Sequence, residues 1–136
     1  MASKLKDSAM YWTDLPCNEL MKRIFSKPPE IGVIDLFDIE IKRDGPSIIV
    51  NFDIIDVLPD LAPAKWGTQF NRCRVGIYCL GVSNVIISGV STNMMAEISF
   101  NLRDNAKKVI ISGDNFNMSF VCDHISLTGP SVYLSQ

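Results

Sequence analysis

From Phe37 onward the chain alternates. Phe37, Ile39 and Ile41 are separated by Asp38 and Glu40, Ile48, Val50, Phe52 and Ile54 follow at the same period, and Ala96, Ile98, Phe100 and Leu102 interleave with Glu97, Ser99 and Asn101. Period-two sequence gives a strand one dry and one wet face, the pattern of an antiparallel sheet. Arg43-Asp44-Gly45-Pro46 joins the first two strands, and Asp-Gly suits a two-residue hairpin loop because both central residues of a type I′ turn take positive φ. That loop sets Ile41 opposite Ile48, Ile39 opposite Val50 and Phe37 opposite Phe52, with Glu40 facing Ile49 and Asp38 facing Asn51. A slip of one residue would set apolar against polar at each pair. The register predicts that Phe37, Ile39, Ile41, Val50 and Phe52 are buried, and that Asp38, Glu40 and Asp53 share the wet face.

Helical spacing occurs once, from Leu15 to Phe25, where Leu20, Met21, Ile24 and Phe25 recur at three to four residues and Pro28-Pro29 blocks continuation. The stretch from Val57 to Phe70 loses alternation and gathers Pro59, Pro63 and Gly67 around Trp66, as in a crossing loop with an aromatic plug over the core edge. Short strands then recur at about 72–80, 84–88, 95–103, 107–112, 116–122 and 124–128. They are separated by Gly81, Gly89, Asp104-Asn105, Gly113-Asp114 and Gly129-Pro130. The phrase Val-Ile-Ile-Ser-Gly is written twice, at Val85–Gly89 and Val109–Gly113. Two copies are too few for a solenoid, so each reads as a β-branched strand closed by a turn at its glycine. The expected fold class is α+β, mainly antiparallel sheet of meander or sandwich type with one short N-terminal helix. At 136 residues the expected organisation is one domain over 1–136.

The apolar stretch from Ala9 to Trp12 is too short for a signal-peptide core, and no apolar run reaches the roughly 18 residues of a membrane span. The expected location is the cytoplasm, with no membrane partner. Cys17, Cys73, Cys79 and Cys122 are then expected as reduced thiols. A formal net charge of −2 speaks against a nucleic-acid partner, whose footprint would be a basic stripe. The charge is unevenly placed: residues 30–60 hold eight acids against Lys42 and Arg43.

Few constellations could carry chemistry. Cys122-Asp123-His124 contains the sole histidine, and on one strand Cys122 and His124 would share a face. No further histidine or Cys-x-x-Cys completes a metal set, and no glycine-rich phosphate loop is present. Asp38, Glu40 and Asp53 resemble a cation site or an acid/base pair, yet catalysis wants a carboxylate in a cleft and a metal wants converging oxygens, which an open sheet face does not offer. No cofactor, metal or catalytic residue is expected. With Asp56 and Asp60, these acids are instead the candidate partner-binding set.

Tyr11-Trp12 before the helix, Arg43-Asp44-Gly45-Pro46, Phe52 with Leu58-Pro59, Pro63 and Lys65-Trp66, the Val-Ile-Ile-Ser-Gly phrase, and Ser112-Gly113-Asp114 with Phe120-Val121-Cys122 together resemble the immunity protein 50 family, found beside bacterial polymorphic toxins. The resemblance implies a small cytoplasmic protein that binds and neutralises a cognate toxin domain and protects the producing cell, with no catalysis of its own. An acidic patch suits a basic, nuclease-type toxin, since nucleases hold phosphate. The alternative is a small cytosolic enzyme or ligand-binding β domain with its site near Cys122 and His124.

Overall fold

The computed structural model describes residues 10–102 and 106–135. Among the described residues eight strands form one sheet: β1 (Val33–Lys42), β2 (Ser47–Ile54), β3 (Arg72–Leu80), β4 (Ser83–Ser88), β5 (Met95–Asn101), β6 (Lys107–Gly113), β7 (Asn117–Cys122) and β8 (His124–Tyr133). Their order is β4-β7-β6-β5-β1-β2-β3-β8, and the pairings are antiparallel. With the short helix α1 (Glu19–Ile24), this is the expected mainly antiparallel α+β class.

The order conceals a corner. β3 and β4 lie near opposite ends of it, yet only Gly81 and Val82 separate them; β7 and β8 are separated by Asp123 alone. The β3–β8 ladder closes at Leu80–His124 and the β4–β7 ladder opens at Ser83–Val121. One two-stranded ribbon therefore crosses the corner and bends the sheet back on itself, as strands do when they switch layers. At the bend Gly81 takes φ +68°, and a Cβ there would stand 2.1 Å from the Asp123 carboxylate. A glycine meets both demands.

The inward faces enclose one core. Ile48, Val50, Phe52 and Ile54 of β2 and Cys73, Val75, Ile77 and Cys79 of β3 meet Ala96, Ile98 and Phe100 of β5 and Met118, Phe120 and Cys122 of β7. Trp12, from a 3₁₀ turn over Trp12–Asp14, packs against both halves, its ring 5.0 Å from Phe52 and 5.8 Å from Phe100. The helix is shorter than the periodicity predicts. Pro16 precedes Cys17, which sits at φ 63°, so the helical turns start only after Asn18. Met21 and Ile24 are buried, and Trp66 packs partly buried against the core, lining a cleft with Leu20, Ile24 and Leu61.

The Asp-Gly register holds from Asp38–Asn51 to Lys42–Ser47, then shifts at a bulge between Leu36 and Asp38. Leu36, not Phe37, lies opposite Phe52. Phe37 is the extra residue and is 61% exposed, contrary to the predicted burial. Ile41 does face Ile48, but the β1–β5 pairing extends only over Val33–Asp35. Beyond the cover of the second layer Ile41 is 56% exposed, again contrary to expectation, and Ile39 is half-buried.

The two Val-Ile-Ile-Ser-Gly phrases form strands β4 and β6, but only the second ends in the expected turn; after Gly89 the chain runs on as irregular loop to β5. Gly89 takes φ +83°, whereas Gly113 closes a turn by donating its N–H to the Phe116 carbonyl at 2.7 Å. Their environments differ: Val109 and Ile111 are buried in β6, while Val85 and Ile86 are exposed on β4, an end strand of the sheet. Gly129-Pro130, expected to end the last strand, lies within β8 beside a register shift against β3. The predicted end of the fifth strand at Arg103 and the Asp104-Asn105 turn lie outside the described residues.

All four cysteines are free thiols, with Cys17 exposed and the others buried. Burial first, and the Asp53 charge second, push the Cys73 thiol up to about 12. Its hydrogen bond with Cys122, then burial, raises Cys79 as well. A thiol reagent at neutral pH should modify Cys17 alone in the native protein and all four thiols after denaturation. Rapid native labelling of three or more would contradict this packing.

Candidate functional site

Among the described residues the most developed polar cluster lies on the outward face of the β1–β2 hairpin. Because Phe52 and Ile54 face inward, Asp53 faces outward, yet it is only 3% exposed. The predicted wet-face position is thus corrected: other side chains roof it. Arg74 on β3, directly across the ladder from Asp53, donates Nε–H to Asp53 Oδ1 at 2.9 Å and a second N–H to Oδ2 at 3.4 Å. The Tyr133 hydroxyl, from the end of β8, donates to the same carboxylate, and Arg72 approaches at 3.7 Å. Arg74 also donates to the Tyr133 oxygen at 2.9 Å. Arg72 bridges on to Asp35 at 3.5 Å. Burial, followed by its bond to Asp53, raises the Tyr133 phenol above the ordinary tyrosine value.

Phe37 completes the roof. Its bulged ring lies over the Arg74 guanidinium, whose carbon is 3.8 Å from the ring centroid, and the same guanidinium is 4.7 Å from the Tyr133 ring. A cleft of about 430 Å³ opens beside this stack, lined by Asp35, Phe37, Arg72, Thr92, Tyr133 and Ser135 among others.

The five candidate acids do not form one patch. Asp38 and Glu40 are exposed on the outward face of β1; Asp38 accepts from the Asn51 amide at 2.8 Å and Glu40 lies 3.6 Å from the Lys42 ammonium. Asp53 sits under Arg74 and Tyr133. Asp56 is exposed in a tight turn at φ 61° beyond the end of β2, against two open clefts. Asp60 accepts from the Ser26 N–H at 2.9 Å and from the Ser26 hydroxyl. The hydroxyl, then the N–H, lowers the Asp60 carboxyl below its ordinary value. Asp60 thus fastens the crossing loop to the chain just after α1, where the Leu61 N–H also reaches the Ile24 carbonyl at 2.9 Å.

Sequence reading passed over Arg72, Arg74, Tyr133 and the outward turn of Phe37. A signal was present: Arg72 and Arg74 flank Cys73 at period two, and Asp53 interrupts the apolar Phe52-Asp53-Ile54 run. Charges embedded in strand pattern on neighbouring segments need one another when they are covered.

Cys122 and His124 do not share a face. The corner at Asp123 leaves Cys122 fully buried against Cys79 and His124 exposed at the start of β8. A nucleophile and base held this way cannot meet over one substrate atom. Among the described residues no group of three His, Cys, Asp or Glu side chains is disposed to hold a metal ion.

No match to the chain is found among curated proteins or among solved structures. The family model for immunity protein 50 matches residues 18–133, from α1 to the end of β8, and so takes in the hairpin, the corner ribbon and Tyr133. The chain belongs to the immunity protein 50 family.

Proposed function

We propose that this protein acts in the cytoplasm by binding a cognate toxin domain and neutralising it through occupancy rather than chemistry. Family membership supports a toxin as partner. The observation that carries the reading is the pair Asp38 and Glu40, exposed on the outward face of the β1–β2 hairpin in a segment with six more acids than bases. Such a face gives a local negative field that raises the rate of encounter with a basic protein, for example a nuclease-type toxin that must hold phosphate. Asp56 and Asp60 extend the field beyond the other end of the hairpin, and Asp53 contributes by holding Arg74 in place.

Coexpression with the product of the neighbouring gene, followed by copurification, tests the partner. The Asp38→Lys/Glu40→Lys variant then tests the face. Its association rate should fall about tenfold or more at low salt and by less at high salt, where the Debye length shrinks, while the thermal midpoint stays put. An unchanged rate at both salt concentrations removes this face from the binding site.

A further inference from the structure

We infer that Phe37 is the central contact of the toxin-binding surface, a pre-positioned ring that enters an apolar pocket bordered by lysine or arginine on the partner; this rests on the function proposed above and adds the contact chemistry.

Three observations converge on it. First, the bulge between Leu36 and Asp38 keeps Phe37 outward at 61% exposure while Leu36 and Ile39 still face the core. Bulges are a means of re-aiming one side chain within a ladder, and a solvent-facing phenyl adds nothing to the core. Second, the ring is braced from behind. Arg74 lies 3.8 Å from its centroid and is itself fixed by the buried Asp53 and by Tyr133. Burying a carboxylate is unfavourable unless it is paired, and here the pair immobilises a surface aromatic. A ring with little freedom to lose gives up less entropy on binding, the property that makes rigid aromatics and arginines the dominant contacts of protein interfaces.

Third, the surroundings specify the occupant. Val33 and Met95, on the same outward face of β1 and β5 and flanking Asp35, are 47% and 41% exposed and add apolar surface to this side of the sheet. Asp38, Glu40 and Glu97 stand exposed around it, and the nearby cations are already engaged, Lys42 by Glu40, Arg72 by Asp35 and Arg74 by Asp53, so the acids outnumber the bases at the rim. An apolar centre with an acidic rim is complementary to an apolar pocket with a basic rim. A second copy of this chain is the poorer occupant, because pairing the face with itself would set acidic rim against acidic rim.

The test uses the purified neighbouring-gene product as probe and measures affinity for the wild type, Phe37→Ala, Phe37→Trp and, as a remote control, Ile86→Ala on the exposed face of β4. Phe37→Ala should weaken binding about 30-fold or more, the range of a dominant contact. Phe37→Trp should retain affinity to within about fivefold, and Ile86→Ala should match the wild type. Thermal midpoints of all variants should stay close to wild type because Phe37 is outside the core. Wild-type binding with equal affinity for Phe37→Ala overturns the inference and leaves the proposed function standing. Failure of the wild type to bind overturns both. Concentration-dependent dimerisation of the wild type that Phe37→Ala abolishes would assign the face to a second copy and overturn the toxin contact.

Discussion

Truncating Phe52 to alanine is expected to lower the unfolding free energy by about 4 to 5 kcal/mol, the upper part of the range for buried aromatics. The side chain is fully buried on β2, between β1 and β3, with Leu36 and Val75 as its ladder partners. The Trp12 ring lies 5.0 Å away and bridges to Phe100 on the other half of the sheet. These neighbours are pinned by ladders or by the 3₁₀ turn, so little can collapse into the space. A cavity whose walls cannot relax keeps its full cost. Trp12 adds to it: its buried indole N–H has no hydrogen-bond partner among the described residues, so packing is what holds the ring. The measurement is a denaturant titration, in which the midpoint should fall with little change in slope. Phe37→Ala supplies the comparison, since the same truncation at an exposed site should cost under about 1 kcal/mol. Equal losses would mean that the bulge is misplaced and that Phe37 lies opposite Phe52 after all.

That contrast also marks where sequence stops being legible. The turn chemistry of Asp44-Gly45 specifies the register near the loop, and the pairing of Asp38 through Lys42 follows it. Phe37, Ile39 and Ile41 look like one apolar face, yet the inward set is Ile34 and Leu36 before the bulge and Ile39 and Ile41 after it. The one local sign is the adjacent pair Leu36-Phe37, which breaks the alternation. The five repeated letters show the same limit, because a β-branched phrase specifies a strand but not its neighbours. Val109 is buried between flanking strands, whereas Val85 lies on an end strand and stays exposed. The corner was illegible for a related reason. Gly81 and Asp123 each read as an ordinary turn, and only the ladders on both sides show that the two turns touch and fold the sheet. The acids were visible as a count, but their roles depend on partners tens of residues away: Asp53 on Arg74 and Tyr133, Asp60 on Ser26.

Replacing Asp53 with alanine is expected to destabilise the protein by about 3 kcal/mol, at the low end for breaking a buried ion pair, because the Arg72 and Arg74 side chains are 33% and 27% exposed and can recover some hydration. Most of that loss comes from what is left behind. The Arg74 Nε–H and the Tyr133 hydroxyl lose their shared acceptor, and the Phe37 ring loses the fixed guanidinium beneath it. Asp53→Asn keeps the shape and one acceptor oxygen, so it should cost less, about 1 to 2 kcal/mol. The pH dependence separates this account from a simple packing defect. In the folded protein the Tyr133 phenol is raised above its ordinary value of 10.0 by burial and then by Asp53. A group with a raised folded-state pKa contributes stability that is fully present below its unfolded pKa and is lost as pH rises through the folded value. Wild-type stability should therefore decline above pH 10, and part of that decline should disappear in Asp53→Ala, where Tyr133 titrates closer to a free phenol. Because the chain has three tyrosines, absorbance titration of each protein minus that of its Tyr133→Phe counterpart reads the Tyr133 shift. If Tyr133 ionises at the same pH in both proteins while stability falls, Asp53 acts only as filler; if it ionises earlier, the carboxylate is what ties β2, β3 and β8 together beneath Phe37.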